Sequence, residues 1–164
     1  GLVGSEMCIR DRRELGLRLD ALPPGAARVE ALLARPWPGL ATWRLAWKAA
    51  ELLAPHDPAA AAAWARRAAA TLDDPGPVPT HSDRDGVLSQ LVGGLLAVGA
   101  AKELRARLEE APVQAALGRG IVLTRARLAH LEGDDATARR LADQYLETDP
   151  DDVEARRWRE GLGR

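Results

Sequence analysis

Apolar positions along this chain recur with a helical period over most of its length. The pattern is clearest from Arg119 to Asp152. There it predicts two amphipathic helices around a Gly133-Asp134 turn, closed by Asp149-Pro150. In the second of these helices Ala138, Leu141, Ala142, Tyr145 and Leu146 fall at i, i+3, i+4, i+7 and i+8, which forms one buried stripe. Thirty-four residues before Gly133 stands Gly99, again between an apolar helix and an amphipathic one.

The same reading over the whole chain predicts an all-α fold of four helical pairs and a closing helix, about nine helices in all. The pairs cover about residues 13–34, 39–72, 83–111 and 113–148, and the closing helix covers 152–161. In the first pair Leu15, Leu17 and Leu19 alternate as a strand would, but Leu15, Leu19 and Leu22 share a helix face, and the helical neighbours favour helix. Pro36-Trp37-Pro38 then breaks the chain. In the second pair Leu40, Trp43, Trp47 and Ala50 form one stripe, and Asp57-Pro58 opens an alanine-rich helix. The Pro-rich stretch from Asp73 to Ser82 divides the pairs two and two, with Ser82 and Asp85 marking the next helix start. That helix, Asp83–Val98, is apolar over a wide arc, so it is expected to be buried on two sides. Gly93-Gly94 inside it lowers helix propensity, and close backbone packing is the expected reason for the pair. The third pair closes at Pro112, and Gly118 and Gly120 delay the helix that follows. The closing helix opens with Asp151 and Glu154 at capping-box spacing and turns Val153, Ala155, Trp158 and Leu162 inward.

A chain of 164 residues suggests one domain or a piece of an array, and can bury roughly 70% of its unfolded surface. The net charge of −1 argues against a nucleic-acid or membrane surface as the main partner. No apolar run is long enough to span a bilayer, so no membrane segment is expected. Lysine is confined to Lys48 and Lys102, and the excess of Arg and Ala points to a GC-rich genome. With no Phe and a single Tyr, the five Trp residues supply most of the aromatic bulk. Trp43, Trp47 and Trp64 are expected in the core, and Trp37, between two prolines, partly exposed.

Gly1 to about Asp11, GLVGSEMCIRD, resembles the translated sequencing-adapter sequence that contaminates the ends of some metagenomic reading frames. Met7 and Cys8, the only Met and the only Cys, both fall inside it. Residues 1–12 are therefore set aside as non-native, which leaves 13–162 as the helical domain and no cysteine chemistry. The natural N-terminus is expected to be missing, so a cytoplasmic location is only the default.

The segment Ala126–Pro150 resembles a tetratricopeptide repeat, or TPR. Ala126 and Ala138 match its small helix-crossing positions, Gly133 its turn, and Asp149-Pro150 its close. Ala129, Ala142, Arg125 and Tyr145 depart from the usual residues. Turn positions Gly25, Pro58, Gly99 and Gly133 lie 33, 41 and 34 residues apart, and the long loop accounts for the excess in the middle. The resemblance implies an α-solenoid of stacked antiparallel hairpins that binds peptides or proteins in a concave groove lined by the first helix of each pair. In that register Arg44, Lys48, Ser89, Arg127 and His130 line the groove. Such a lining suits an acidic segment or a C-terminal carboxylate.

Two clusters invite a metal reading: His81, Asp83 and Asp85, and His130, Glu132, Asp134 and Asp135. Turn and helix-cap roles account for most of these residues, so no metal is expected. No nucleophile, phosphate-loop or dinucleotide motif is present, and neither a cofactor nor a catalytic set is expected. The sequence thus points to a non-enzymatic protein-interaction or scaffold module. A regulatory or targeting appendage of an enzyme encoded upstream is the alternative, and an RNA-binding helical repeat, which the near-neutral charge disfavours, is the third.

Overall fold

The computed structural model describes residues 2–74, 76 and 78–163, with side chains from residue 9 onward. Gly1, the side chains of Met7 and Cys8, and the loop residues Pro75 and Pro77 lie outside the described residues. Among the described residues the chain is all-α, with ten helices and no strand. None of these helices is long and apolar enough to cross a membrane. Contacts divide the chain into two compact units, one ending at Val98 and one beginning at Gly99. The division falls one helix later than the Pro-rich stretch, because the helix after that stretch packs back onto the one before it.

The first unit holds α1 (Leu2–Asp20), α2 (Ala26–Leu33), α3 (Thr42–Leu53), α4 (Pro58–Ala70) and α5 (His81–Ala97). In α1, Leu15 and Leu19 are buried while Leu17 is 68% exposed, so the helical face wins over the alternating pattern. The helix also runs back through the adapter-like string, which contains no proline to stop it. Asp11, inside that string, is buried and accepts a hydrogen bond from the backbone N–H of Gly39 at 2.9 Å. Trp37 is not partly exposed as expected. It is 3% exposed because its indole N–H reaches the Leu32 carbonyl at 2.8 Å, which removes the cost of burying that donor.

Helix α4 begins as its sequence suggests, with the Asp57 carboxylate accepting from Ala60 N at 3.0 Å and Pro58 in the first turn. Its alanines Ala61, Ala62, Ala65 and Ala68 are all buried. Helix α5 begins earlier than Ser82. Thr80 is its cap, in a reciprocal capping box with Asp83 that satisfies two backbone donors at once. Val87, Leu88, Leu91, Val92 and Leu95 are buried along α5, as its wide apolar arc requires. The two glycines of α5 differ. A Cβ on Gly94 would lie 3.0 Å from the Cα of Ala62 on α4, whereas one on Gly93 would meet open space. Close packing therefore explains Gly94 alone.

The second unit holds α6 (Ala101–Leu108), α7 (Ala111–Leu117), α8 (Gly120–Leu131), α9 (Asp135–Thr148) and α10 (Val153–Gly161). The tenth helix, beyond the expected nine, arises at Gly118. Its φ of 52° and ψ of −129° suit only glycine and separate α7 from α8. Pro112 starts α7 rather than ending a helix, since its missing N–H costs nothing in the first turn. Gly133 takes φ 82° between α8 and α9, and Gly99 takes φ 68° just before α6. Ala126 and Ala138, the expected crossing positions, are fully buried in α8 and α9, which pack against each other. The cap of α10 is Asp152 rather than Asp151, and accepts from Ala155 N at 2.9 Å. Val153 turns outward at 55% exposed, and Ala155 carries the contact instead.

These two glycine environments predict opposite outcomes. Gly93→Ala is expected to stabilise the chain by roughly 0.5–1 kcal/mol through helix propensity alone. Gly94→Leu is expected to destabilise it by about 1–3 kcal/mol through overpacking against Ala62. Urea midpoints at constant m-value measure both.

Candidate binding surfaces

Among the expected groove residues, Arg44, Lys48 and Ser89 belong to the first unit and Arg127 and His130 to the second. Arg44 and Lys48 lie one turn apart on α3 and together line a cleft of about 270 Å³ between α1 and α3. Its floor and walls are mainly apolar, from Leu15, Leu40, Leu45 and Trp47. Gly16 leaves a gap in the α1 wall, since a Cβ there would meet nothing within 4 Å. Arg12, from the stretch set aside, and Glu51 complete the rim. Ser89 is exposed on α5 and does not line this cleft.

The two cations differ in state. Arg44 lies 4.7 Å over the Trp43 ring and 3.6 Å from the Asp83 carboxylate, so α5 already holds it. Burial works against ionising Asp83, but hydrogen bonds from Thr80 and the charge of Arg44 outweigh it and lower its pKa. Lys48 is half-buried at the cleft and forms no ion pair among the described residues. Trp47 stacks on Trp43 with ring centroids 6.2 Å apart and lies directly over Gly86 of α5, where an added Cβ would approach its ring to 2.5 Å. Its position beside Lys48 is therefore fixed from two sides.

In the second unit Arg127 and His130 are occupied by their own neighbours. Arg127 lies 3.6 Å from Glu154 and 5.7 Å over the Trp158 ring, both on α10. The His130 ring meets Trp158 edge-on, and its Nδ1 lies 2.7 Å from Asp135 Oδ1. These two residues hold α9 and α10 against α8. Five of the seven residues of the two suspected metal clusters are likewise engaged. Asp83 accepts from Thr80 N in the α5 capping box, Asp134 caps α9, Asp135 meets His130, and Glu132 receives a bidentate pair from Arg105 at 2.5–3.2 Å. Among the described residues no three His, Cys, Asp or Glu side chains converge as a metal ion requires.

Leu45 and Gly16 are cleft residues that sequence reasoning missed, although both carry a local signal. Leu45 stands off the Leu40–Trp43–Trp47 stripe yet lines the same cleft, and Gly16 is a lone glycine within a helix.

Tyr145, the only tyrosine, joins the end of α9 to the start of α10. Its hydroxyl donates to Asp152 at 2.9 Å and to Asp149 at 3.3 Å. The bond to Asp152, then burial, then the Asp152 charge push its pKa up to about 12. Asp152 is lowered in turn, first by the Ala155 backbone N–H and then by Tyr145. The raised phenol value means that its stabilisation is complete below the ordinary value, about 10, and is lost as pH rises through the folded value. A tyrosinate absorbance titration of the folded protein is expected to show a single step near 12. Asp152→Asn is expected to lower that step towards about 10 while keeping the helix cap, because Asn caps as well as Asp. A wild-type step at the ordinary value contradicts the bond.

Compared with protein-family models, with curated proteins and with solved structures, the chain matches none of them.

Proposed function

We propose that this chain is a non-enzymatic interaction module, a TPR-like array of helical hairpins that holds a peptide or protein segment of acidic character. The observation that carries this reading is the α1/α3 cleft. An apolar floor with a fixed tryptophan lies beside a lysine that has no carboxylate partner among the described residues. Apolar surface supplies affinity, and convergent cations select a carboxylate, from either an acidic side chain or a chain end. The helical-hairpin pattern, with buried small residues at Ala126 and Ala138 and glycine turns at Gly99 and Gly133, supports the array.

Charge complementarity makes the interaction salt-dependent. Fluorescence anisotropy with labelled acidic peptides is expected to show affinity that falls as ionic strength rises. Lys48→Glu is expected to weaken binding tenfold or more, because a carboxylate contact at about 4 Å is worth on the order of 1–4 kcal/mol near a surface. Binding that is indifferent to salt and to Lys48→Glu removes the cleft as the carrier of this function.

A further inference from the structure

A second cleft opens on the other side of α3. It measures about 190 Å³ and is lined by Leu33 of α2, Thr42, Leu45 and Ala46 of α3, and Trp64 and Arg67 of α4. Among the described residues Leu45 alone lines both clefts, and α3 runs between them. Leu33, at the second cleft, is 47% exposed, a large apolar group left in solvent. Arg67 lies 4.3 Å over the Trp64 ring and forms no ion pair among the described residues.

We propose that the clefts flanking Leu45 form one bipartite groove for an acidic peptide that inserts two apolar side chains, one into each. This rests on the reading of the chain as a peptide-holding module. Volume argues for side chains as the occupants. About 270 and 190 Å³ both fall below the roughly 300–1,000 Å³ typical of small-molecule sites, so each cleft takes an anchor rather than a cofactor. Charge argues for acidic flanks. Among the described residues the two linings together contain Arg12, Arg44, Lys48 and Arg67 and one carboxylate, Glu51. Arg44 is paired with Asp83 and Arg12 lies in the stretch set aside, which leaves one available cation at each cleft: Lys48 at the first and Arg67 at the second.

Each half can be blocked separately. Gly16→Leu adds bulk at the first cleft, its Cβ meeting no atom within 4 Å, and replacing a helical glycine favours the helix. Leu33→Asp replaces an exposed leucine at the second cleft with a carboxylate that can pair with Arg67. The probes are fluorescein-labelled twelve-residue aspartate-rich peptides with no leucine, one leucine, or two leucines two, three or four positions apart. At one of these spacings the two-leucine peptide is expected to bind the full chain at least tenfold more tightly than the one-leucine peptide. Each variant, with helicity equal to wild type, is expected to reduce that peptide to one-leucine affinity. Arg67→Glu, a surface change, is expected to act like Leu33→Asp and provides a second arm. Equal binding of one- and two-leucine peptides, or an advantage that survives these variants, overturns the bipartite groove and leaves peptide binding standing. Failure of every peptide to bind the wild-type chain overturns both.

Discussion

Small residues at helix crossings are the constraint on which each unit depends. In the first unit α4 buries Ala61, Ala62, Ala65 and Ala68, and Gly94 of α5 lies so close to the α4 backbone that an added Cβ would come within 3.0 Å of the Ala62 Cα. Helices without side-chain bulk approach towards the short end of the usual interaxial range, about 8–10 Å. Alanine buries little apolar area, so the cohesion must come from what surrounds the seam. Trp43, fully buried among Ala41, Ala46, Ala68, Leu72 and Val87, fills the space that alanines leave. In the second unit Ala126, Ala138 and Ala142 are likewise fully buried where α8 and α9 pack together.

The arginine-rich surface is organised around the tryptophans. Arg35, Arg44, Arg67 and Arg127 lie over Trp37, Trp43, Trp64 and Trp158 at 4.0–5.7 Å. A guanidinium is weakly hydrated and planar, so it covers an indole face at little desolvation cost. Three of these four arginines also meet a carboxylate: Glu14 for Arg35, Asp83 for Arg44 and Glu154 for Arg127. These four arginines are therefore engaged within the fold.

Much of the fold was legible in the sequence because helical periodicity and caps are local signals. The range Asp135–Thr148 for α9, the Asp57-Pro58 start of α4 and the burial of Ala126 and Ala138 all follow from residues within a turn or two of one another. What was not legible depends on contacts between distant residues. Trp37 looked partly exposed between two prolines, until the Leu32 carbonyl gave its N–H a partner. Gly93 and Gly94 are indistinguishable as a dipeptide and are separated only by Ala62. Gly118 read as a frayed helix start, but its positive φ makes a separate short helix. For the candidate site, Arg44 and Lys48 were legible from their register on one helix. Leu45 and Gly16 were not, because a cleft is defined by two helices and a sequence pattern describes one.

The Tyr145 bond to Asp152 has a mechanical side. It ties the end of one helix to the cap of the next across the short connection Asp149–Asp152. Tension applied at the C-terminus is shared between that connection and a side-chain brace, so α10 behaves as a strut fixed at its root rather than as a tail swinging on a loop.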